Sequence, residues 1–260
     1  MNNLLLTATI NPAHYSNTNV VLTNVQKRLS QYETALKYYI TESSFDTIIF
    51  VENSSFEFHA DIYHKLAQKH NKRFEYIPIN TDIKKTIQLG KSYGEAVCIE
   101  EGINKSVLLK NEKTFYKITG RVILKNYSLF TQYKDNSSRF LFRNDLKKCY
   151  TVFFKANIED YRKYFFDAKN NCNESQNKDI EAVFYQIISE KQIATKTFHS
   201  YPLLLGTIGT TGDSYNDTNV VFFIKNLMAK MGMFSYLPNG GIINILAKIR
   251  LTLFKKHHNI

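Results

Sequence analysis

The chain has 260 residues, of which 43% are hydrophobic and 22% are charged, so it has the composition of a globular protein with a substantial core. It has no apolar stretch of the ~20 residues that a membrane-spanning helix needs, no basic flank of a signal peptide at its N-terminus, and no metal-like cysteine spacing. We therefore expect a cytoplasmic protein in which Cys98, Cys149 and Cys172 are structural thiols. The net charge of +11 predicts an anionic partner: nucleic acid, an anionic membrane or a phosphorylated substrate.

The first half of the chain alternates between strand-like and helix-like stretches. Four apolar runs have the length of buried strands: 3–10, 45–55, 73–79 and 113–119. Three stretches between them predict helices: 20–40, 58–70 and 91–106. Strands that are separated by helices predict a parallel sheet with right-handed crossovers. The predicted fold class is therefore α/β, with a mostly parallel sheet flanked by helices.

The second half is less regular. Two stretches predict strands that are antiparallel or lie at a sheet edge, 137–144 and 149–157. Helices are predicted at 158–169 and 179–191, and a strand followed by a Gly/Thr loop at 196–215. No internal repeat or low-complexity linker interrupts the chain. We expect one α/β domain over 1–215 and a helical, basic extension over 216–260.

Polar residues follow the ends of the four predicted parallel strands. In an open parallel sheet, ligands bind beyond the carboxyl ends of the strands. The residues at these ends are therefore candidates for a binding site: Thr7, Thr9, Asn11, Glu52, Asn53, Thr119, Gly120 and Arg121. The alternative for each of them is a strand cap without a ligand.

The stretch LGKSYGEA (89–96) adds a glycine and a lysine at the start of a predicted helix. Gly90 permits a tight turn, Lys91 offers a positive charge to a phosphate at the helix N-terminus, and Gly94 lets the helix approach the sheet. The spacing fits neither a Walker motif nor Gly-x-Gly-x-x-Gly. The alternative is a helix start with a surface lysine.

Taken in order, TATINP, a helix with Arg28, FVENS, GKSYGEA and FYKITGR resemble the nucleotide-sugar half of GT-A fold glycosyltransferases. The resemblance implies a GT-A-like fold over 1–215. It also implies a nucleotide-sugar donor that is bound by Thr9, Asn11, Arg28, Glu52, Asn53, Lys91, Gly94, Thr119, Gly120 and Arg121.

The family carries a metal-binding Asp-x-Asp motif where this chain has Thr119-Gly120-Arg121, and no Asp-x-Asp occurs anywhere in the sequence. A guanidinium can bind a diphosphate through two parallel hydrogen bonds without a cation. We therefore predict that Arg121 takes over the charge of the metal, that Gly120 lets the backbone approach the donor, and that the protein needs no metal cofactor.

With DIEAVFY and GTIGTTGDSY included, the ordered set is similar to bacterial glycosyltransferases that build capsule and lipopolysaccharide chains, over about 1–215. The resemblance implies transfer of a sugar to a lipid-linked or oligosaccharide acceptor of a growing cell-surface glycan. UDP is the expected carrier because it is the most prevalent one. The expected location is the inner face of the cytoplasmic membrane.

Two further stretches are candidates for the chemistry. An inverting transferase needs a carboxylate that takes the proton of the acceptor hydroxyl, and Glu181, which opens a predicted helix, is the first choice; Asp179 points elsewhere. In the loop 206–215, Thr210, Thr211 and Gly212 offer hydroxyl and N–H groups to a sugar or phosphate. The alternatives are an acidic residue that favours the helix dipole and a surface turn.

The sequence from Thr218 to Ile260 contains no Asp or Glu. Residues 240–258 have one apolar and one basic helical face, which predicts a helix that lies on an anionic membrane; the alternative is a helix packed on the domain. Two other functions stay open. A nucleic-acid-binding protein is favoured by the net charge but lacks a recognisable motif, and a non-catalytic membrane adaptor would have no pocket at the strand ends.

Overall fold

The computed structural model describes residues 1–12, 22–208, 212–215 and 217–237. Its strands are Asn3–Ala8 (β1), Thr47–Glu52 (β2), Arg73–Pro78 (β3), Thr114–Thr119 (β4), Ile123–Leu124 (β5), Phe142–Arg143 (β6), Lys148–Cys149 (β7), Phe153–Asn157 (β8) and Leu204–Leu205 (β9). Its helices are Val25–Thr41 (α1), Asp61–Lys69 (α2), Ile83–Leu89 (α3), Lys91–Lys105 (α4), Ser128–Thr131 (α5), Ile158–Tyr164 (α6), Ala168–Asn171 (α7), Ile180–Glu190 (α8) and Asn219–Lys230 (α9).

Five strands form a central sheet in the order β3-β2-β1-β4-β8. The first four strands in the chain run parallel to one another, and β8 pairs antiparallel with β4 at one edge. The predicted α/β class with a mostly parallel sheet is therefore confirmed, as is the antiparallel strand in the second half of the chain. The short pairs β5–β9 and β6–β7 lie outside this sheet.

The sheet is covered on both faces, which explains why its central strand, β1, contains the apolar run Leu4–Leu6. All six residues of β1 are buried. Successive side chains of a strand point to opposite faces. Leu5 therefore lies in the core layer that includes residues of α4 and α8, whereas Leu4 and Leu6 lie in the layer that includes residues of α1 and α2. This is the pattern of a parallel strand buried on both sides.

Several boundaries differ from the sequence prediction for identifiable local reasons. The helix predicted at 20–40 begins at Val25, because the side chain of Asn24 accepts a hydrogen bond from the Lys27 N–H and caps it. The helix predicted at 158–169 is two helices, α6 and α7, and the turn between them places Phe165 in the core. The strand predicted at 137–144 is reduced to β6, with Arg139 forming an isolated bridge to Lys155.

Helix α3 was not predicted from the sequence, although it sets the start of α4. Asp82 caps α3 through the Lys85 N–H. Gly90, with a φ of 97°, ends α3 and leads directly into α4. A positive φ of this size is accessible to glycine at little cost. Two helices of different direction are therefore joined by a single residue.

Gly102 provides a test of the packing between α4 and the sheet. A Cβ atom at this position would lie 2.8 Å from Val51 Cγ2 and 2.9 Å from Leu5 Cδ1. We expect Gly102→Ala to destabilise the protein by about 1–3 kcal/mol through overpacking. In an exposed helix the same change increases the free energy of unfolding by about 1 kcal/mol. A decrease on Gly102→Ala would therefore indicate close packing at this position.

Urea unfolding measures the free energy of unfolding of Gly102→Ala. Asn104→Ala is the matched control, because Asn104 is exposed on the same helix and its replacement should cost less than about 0.5 kcal/mol. A Gly102→Ala protein that is as stable as the wild type would contradict the packing described here.

Candidate functional site

A cavity of about 740 Å³ lies at the carboxyl ends of the parallel strands. Its size falls within the range of small-molecule sites, which span roughly 300–1,000 Å³. It is lined by residues from the ends of β1, β2 and β4, the start of α4, β7, the start of α8 and the segment before α9. Eight of the sequence-predicted residues line it: Thr9, Arg28, Asn53, Lys91, Gly94, Thr119, Arg121 and Glu181.

Arg121 is a buried cation that lines this cavity. Only 9% of the residue is exposed, and its Nη1 donates a 2.7 Å hydrogen bond to the Thr207 carbonyl. Within the described ranges it forms no ion pair with a carboxylate. Burial lowers the pKa of Arg121, and the nearby Arg28 acts in the same direction. A buried charge without a counter-ion costs free energy, which an anionic ligand would offset.

Arg28 also lines the cavity, but its hydrogen-bond donors are largely used by the backbone. Its Nε and Nη2 donate to the Thr9 carbonyl at 2.8 and 2.5 Å, and its Nη1 donates to the Leu22 carbonyl at 3.1 Å. Arg28 therefore holds the segment after β1 in place and adds positive charge near Arg121. This arrangement differs from the predicted direct contact with a ligand.

Three polar groups join the ends of β1, β2 and α4. Thr9 Oγ1 donates to Asn53 Oδ1 at 2.6 Å, and Asn53 Nδ2 donates to the Gly94 carbonyl at 3.3 Å. A Cβ atom on Gly94 would lie 3.3 Å from Asn53 Nδ2. As the sequence predicted, the absence of a side chain at Gly94 lets α4 approach the sheet.

Of the predicted donor-binding residues, three do not line the cavity: Asn11, Glu52 and Gly120. Glu52 is fully buried and accepts hydrogen bonds from the backbone N–H groups of Ile10 and Ser54, both at 3.0 Å. The Asn11 N–H donates to Ser54 Oγ. Glu52 therefore fixes the loops after β1 and β2, and its predicted contact with a donor stays a prediction.

Gly120 is required by close packing against the neighbouring strand. Its N–H donates to the Thr7 carbonyl at 2.9 Å, and a Cβ atom would lie 2.8 Å from that oxygen and 3.3 Å from the Tyr32 ring. The structure therefore shows an approach of the Gly120 backbone to β1, and the predicted approach to a ligand stays a prediction. The corner after β4 still delivers the next residue, Arg121, into the cavity.

The N-terminus of α4 is occupied by a carboxylate of the chain itself. Glu174 Oε1 accepts from the Ser92 N–H at 3.0 Å and from Ser92 Oγ at 2.5 Å. A Cβ atom on Gly90 would lie 2.6 Å from this carboxyl group, so glycine makes room for it. The anion expected at this helix start is therefore Glu174, which the sequence analysis missed because it lies 82 residues away. Lys91 lines the cavity beside it.

Glu181, in the first turn of α8, also lines the cavity. Burial raises the pKa of Glu181 to about 7, repulsion from Asp179 adds to this effect, and Lys148 opposes it. Asp179 itself is occupied, because it caps α8 through the Ala182 N–H at 2.9 Å and pairs with Lys148. The side chain of Glu181 has no hydrogen-bond partner among the described residues. It is therefore a carboxylate that can exchange a proton near neutral pH.

A second feature that the sequence analysis missed is the ion pair between Lys117 and Glu95. Lys117 is fully buried in β4 and donates to Glu95, to Thr119 Oγ1 at 3.2 Å and to the Thr151 carbonyl at 2.7 Å. Glu95 lines the cavity. The signal was present in FYKIT, since a lysine inside a buried strand requires a partner.

The predicted Gly/Thr loop contributes different residues from those expected. Thr210 and Thr211 lie outside the described residues. Gly212 is exposed, and its N–H donates to the Ile208 carbonyl within the turn. Ile208 and Tyr215 line the cavity instead. Burial raises the pKa of Tyr215 to about 12, which Arg121 opposes, so this phenol stays protonated at neutral pH.

In the described part of the chain, no group of three or more His, Cys, Asp or Glu side chains could hold a metal ion. The three cysteines are free and buried, as predicted for structural thiols. Within these same ranges, the helices are too short or too polar to cross a membrane.

No protein-family model and no curated protein matches the chain. Among solved structures, an inositol-1-phosphate CTP transferase from T. maritima is 12% identical with a TM-score of 0.47, and a protein assigned as a glucose-1-phosphate thymidylyltransferase from Bacillus anthracis is 13% identical with a TM-score of 0.42. Each alignment covers 88% of this chain and 96% of the other.

The glycosyltransferase GlyE from Streptococcus pneumoniae TIGR4 is 8% identical, with a TM-score of 0.45, over 76% of this chain and 45% of GlyE. All three TM-scores are below 0.5, so these likenesses do not decide between sugar-nucleotide synthesis and sugar transfer. The choice between these two reactions therefore depends on the side chains that line the cavity.

The pKa of Glu181 predicts a pH-dependent effect on stability. The pKa is raised from 4.5 to about 7 in the folded protein, so the stabilising contribution of the protonated carboxyl is present below pH 4.5 and is lost as the pH rises through 7. We therefore expect Glu181→Gln to have a higher Tm than the wild type at pH 8 and a similar Tm at pH 4.5.

Thermal unfolding at both pH values measures this difference, at about 2–4 °C for each kcal/mol. Glu190→Gln, at the exposed end of the same helix, is the control and should behave like the wild type at both. A Tm difference for Glu181→Gln that does not change with pH would show that the carboxyl group is not buried as described.

Proposed function

We propose that the protein is a glycosyltransferase that moves a sugar from a nucleotide-sugar donor to a growing cell-surface glycan of the capsule or lipopolysaccharide kind. The observation that carries this proposal is the pairing, in one cavity, of a buried guanidinium without an acid partner among the described residues and a carboxylate with a raised pKa. The first suits an anionic donor, and the second suits the removal of a proton from an acceptor.

In the proposed donor complex, the diphosphate lies against Arg121. Its guanidinium has further N–H groups besides the one that donates to the Thr207 carbonyl, and these can form the paired hydrogen bonds that phosphates accept. Lys91 and Arg28 add positive charge around the same space. Thr9 and Asn53, at the ends of β1 and β2, offer polar groups to the nucleoside.

In the proposed reaction, the oxygen of an acceptor hydroxyl attacks the anomeric carbon of the donor sugar. The bond from that carbon to the phosphate oxygen breaks, and the nucleoside diphosphate leaves with the electron pair. Glu181 takes the proton of the attacking hydroxyl as a general base. The positive charge of Arg121 stabilises the negative charge that grows on the leaving diphosphate.

A metal on the diphosphate, which the GT-A resemblance implies, does not fit the residues after β4. Thr119, Gly120 and Arg121 supply no carboxylate, and a cation would lie beside the guanidinium of Arg121. The proposed reaction therefore has no step through a metal, and metal-independent activity is part of the proposal.

The alternatives differ in what they require of this part of the molecule. A non-catalytic adaptor would have no cavity at the strand ends, so the cavity disfavours it. A nucleic-acid-binding protein would need a continuous basic surface, whereas the cavity mixes Arg121, Lys91 and Lys148 with the carboxylates of Glu95 and Glu181. The predicted membrane-binding helix at 240–258 lies outside the described residues.

Arg121→Ala tests the donor site. Because charged hydrogen bonds to the diphosphate are lost, we expect the Kd of the donor nucleotide to rise about tenfold or more. Thermal-shift titration with UDP, GDP, CMP and dTDP sugars identifies the donor, since a ligand that binds only the folded state raises the Tm. Arg121→Lys keeps the charge without the planar fork and should bind with intermediate affinity.

Arg162→Ala, at an exposed position of α6 outside the cavity, is the control and should keep wild-type affinity. Unchanged donor affinity in Arg121→Ala would remove the proposed phosphate role. Sugar transfer should also persist in EDTA; complete loss that manganese restores would show that a metal takes part.

Glu181→Gln tests the chemical step. Loss of a general base lowers kcat by about 10²–10⁴-fold, while donor affinity should stay close to that of the wild type. In the wild type, kcat/KM should rise with pH and level off above about 7, where Glu181 is ionised. Glu190→Gln should retain full activity and the same pH profile.

A Glu181→Gln enzyme with wild-type kcat would exclude this role for the carboxylate. The same assays can distinguish a nucleotidyltransferase. Release of pyrophosphate from a nucleoside triphosphate and a sugar 1-phosphate, without sugar transfer to an acceptor, would replace the proposal with sugar-nucleotide synthesis.

A further inference from the structure

A buried lysine connects three residues that line the cavity: Glu95, Thr119 and Thr151. Lys117 has no exposed surface and does not itself line the cavity. Its ammonium group donates to Glu95 Oε1, to Thr119 Oγ1 at 3.2 Å and to the Thr151 carbonyl at 2.7 Å. Because an ammonium group has three N–H donors, all of them are used. Lys117 therefore holds residues of the cavity wall in place and has no donor left for a ligand.

Glu95 is the one of these three residues that carries a charge. Its Oε1 accepts from Lys117, whereas its Oε2 has no hydrogen-bond partner among the residues that the structure describes. The side chain is 26% exposed, and Glu95 lines the cavity. An ionised carboxylate only accepts hydrogen bonds. The second oxygen of Glu95 therefore suits a hydroxyl group of a ligand.

Glu95 lies within electrostatic range of both ends of the proposed reaction. Burial lowers the pKa of Arg121, and the charge of Glu95 opposes that effect. Burial raises the pKa of Glu181, and the charge of Glu95 adds to that effect. On α4, Glu95 follows Lys91 by one turn, so that both residues lie on the same side of the helix and line the cavity. A sugar between a diphosphate at Arg121 and a base at Glu181 would therefore lie beside Glu95.

A carboxylate that is held in this way distinguishes ligands by their hydroxyl groups. The ion pair with Lys117 fixes the position of the Glu95 carboxylate, so little conformational freedom is left to lose when a ligand binds. A site that is built to bind a hydroxyl rejects an analogue without it, because the protein group is then left unpaired. A buried ion pair that served stability alone could be replaced by apolar side chains at little cost.

We propose that Glu95 is a specificity-determining residue that accepts a hydrogen bond from a ring hydroxyl of the donor sugar, and that Lys117 is the positioning residue that holds Glu95 in place. The donor is then a sugar with a free hydroxyl at the position that faces α4, and sugars that are deoxygenated or substituted there are rejected. This inference rests on the proposed function, since it places the donor sugar between Arg121 and Glu181. It concerns a different part of the donor from the diphosphate at Arg121.

Binding of nucleotides with and without their sugar tests the role of Glu95. The probes are UDP, GDP, CMP and dTDP, their sugar conjugates, and monodeoxy analogues in which hydrogen replaces one ring hydroxyl at a time. The wild type should bind one monodeoxy analogue about tenfold or more weakly than the parent donor, because a hydrogen bond to a charged group is lost. Glu95→Gln/Lys117→Met should bind this analogue and the parent alike, with the wild-type Kd for the free nucleotide.

The double variant is used because it removes both charges and leaves no buried charge without a partner. Lys117→Met alone should reduce the discrimination against the same analogue. It should have no further effect when Glu95→Gln is already present, because both changes act on one hydrogen bond. Glu101→Gln is the matched control and should discriminate like the wild type, since it removes a surface ion pair with Lys105 on the same helix, outside the cavity.

Failure of this proposal can be distinguished from failure of the proposed function. A wild-type protein that binds none of the nucleotide sugars would reject sugar transfer, and the role of Glu95 with it. If the wild type binds and transfers a sugar while the double variant discriminates between the parent and its analogues as the wild type does, only the role of Glu95 is overturned. An equal loss of affinity for the free nucleotide and the sugar nucleotide in the double variant would show general damage to the cavity, and would also overturn that role.

Discussion

A charge that leaves water must find a partner, and this constraint determines which side chains of the cavity are available to a ligand. Lys117 is satisfied by Glu95 and two oxygens, and Glu52 by backbone N–H groups. Arg28 is satisfied by two carbonyls. Arg121 donates to one carbonyl and has no acid partner in the described part of the chain. Lys117, Glu52 and Arg28 are thus committed to the fold, whereas Arg121 keeps hydrogen-bond donors that a ligand could use.

The same constraint separates the two carboxylates at the start of α8. Asp179 is held in place by the Ala182 N–H at the helix N-terminus and by its ion pair with Lys148. Glu181 lies two residues further along, with burial and the charge of Asp179 acting against its ionisation. Two acids that lie two residues apart are thus given different roles, a cap and a proton acceptor, by their surroundings.

The alternation of apolar runs and helical patterns was enough to predict the parallel sheet, because β1 and β2 are buried on both faces and each has an uninterrupted apolar run, Leu4–Leu6 and Ile48–Val51. Because the carboxyl ends of parallel strands meet at one edge of a sheet, the sequence also predicted that Thr9, Asn53 and Arg121 lie near one another, and all three line the cavity. Glu174 could not be predicted, because its contact with the α4 N-terminus depends on a turn that is distant in sequence. Gly120 was assigned to a ligand because a sequence does not show that a neighbouring strand lies as close as this.

The Lys117–Glu95 pair ties the interior of the sheet to the cavity wall. Replacing Glu95 alone would leave the buried ammonium group of Lys117 without an anionic partner. Replacing Lys117 alone would leave the Glu95 carboxylate without its cation. Positions 95 and 117 are therefore expected to vary together in any related sequence. A change of preference at this wall of the cavity then requires two simultaneous substitutions, which makes its chemistry slow to diverge.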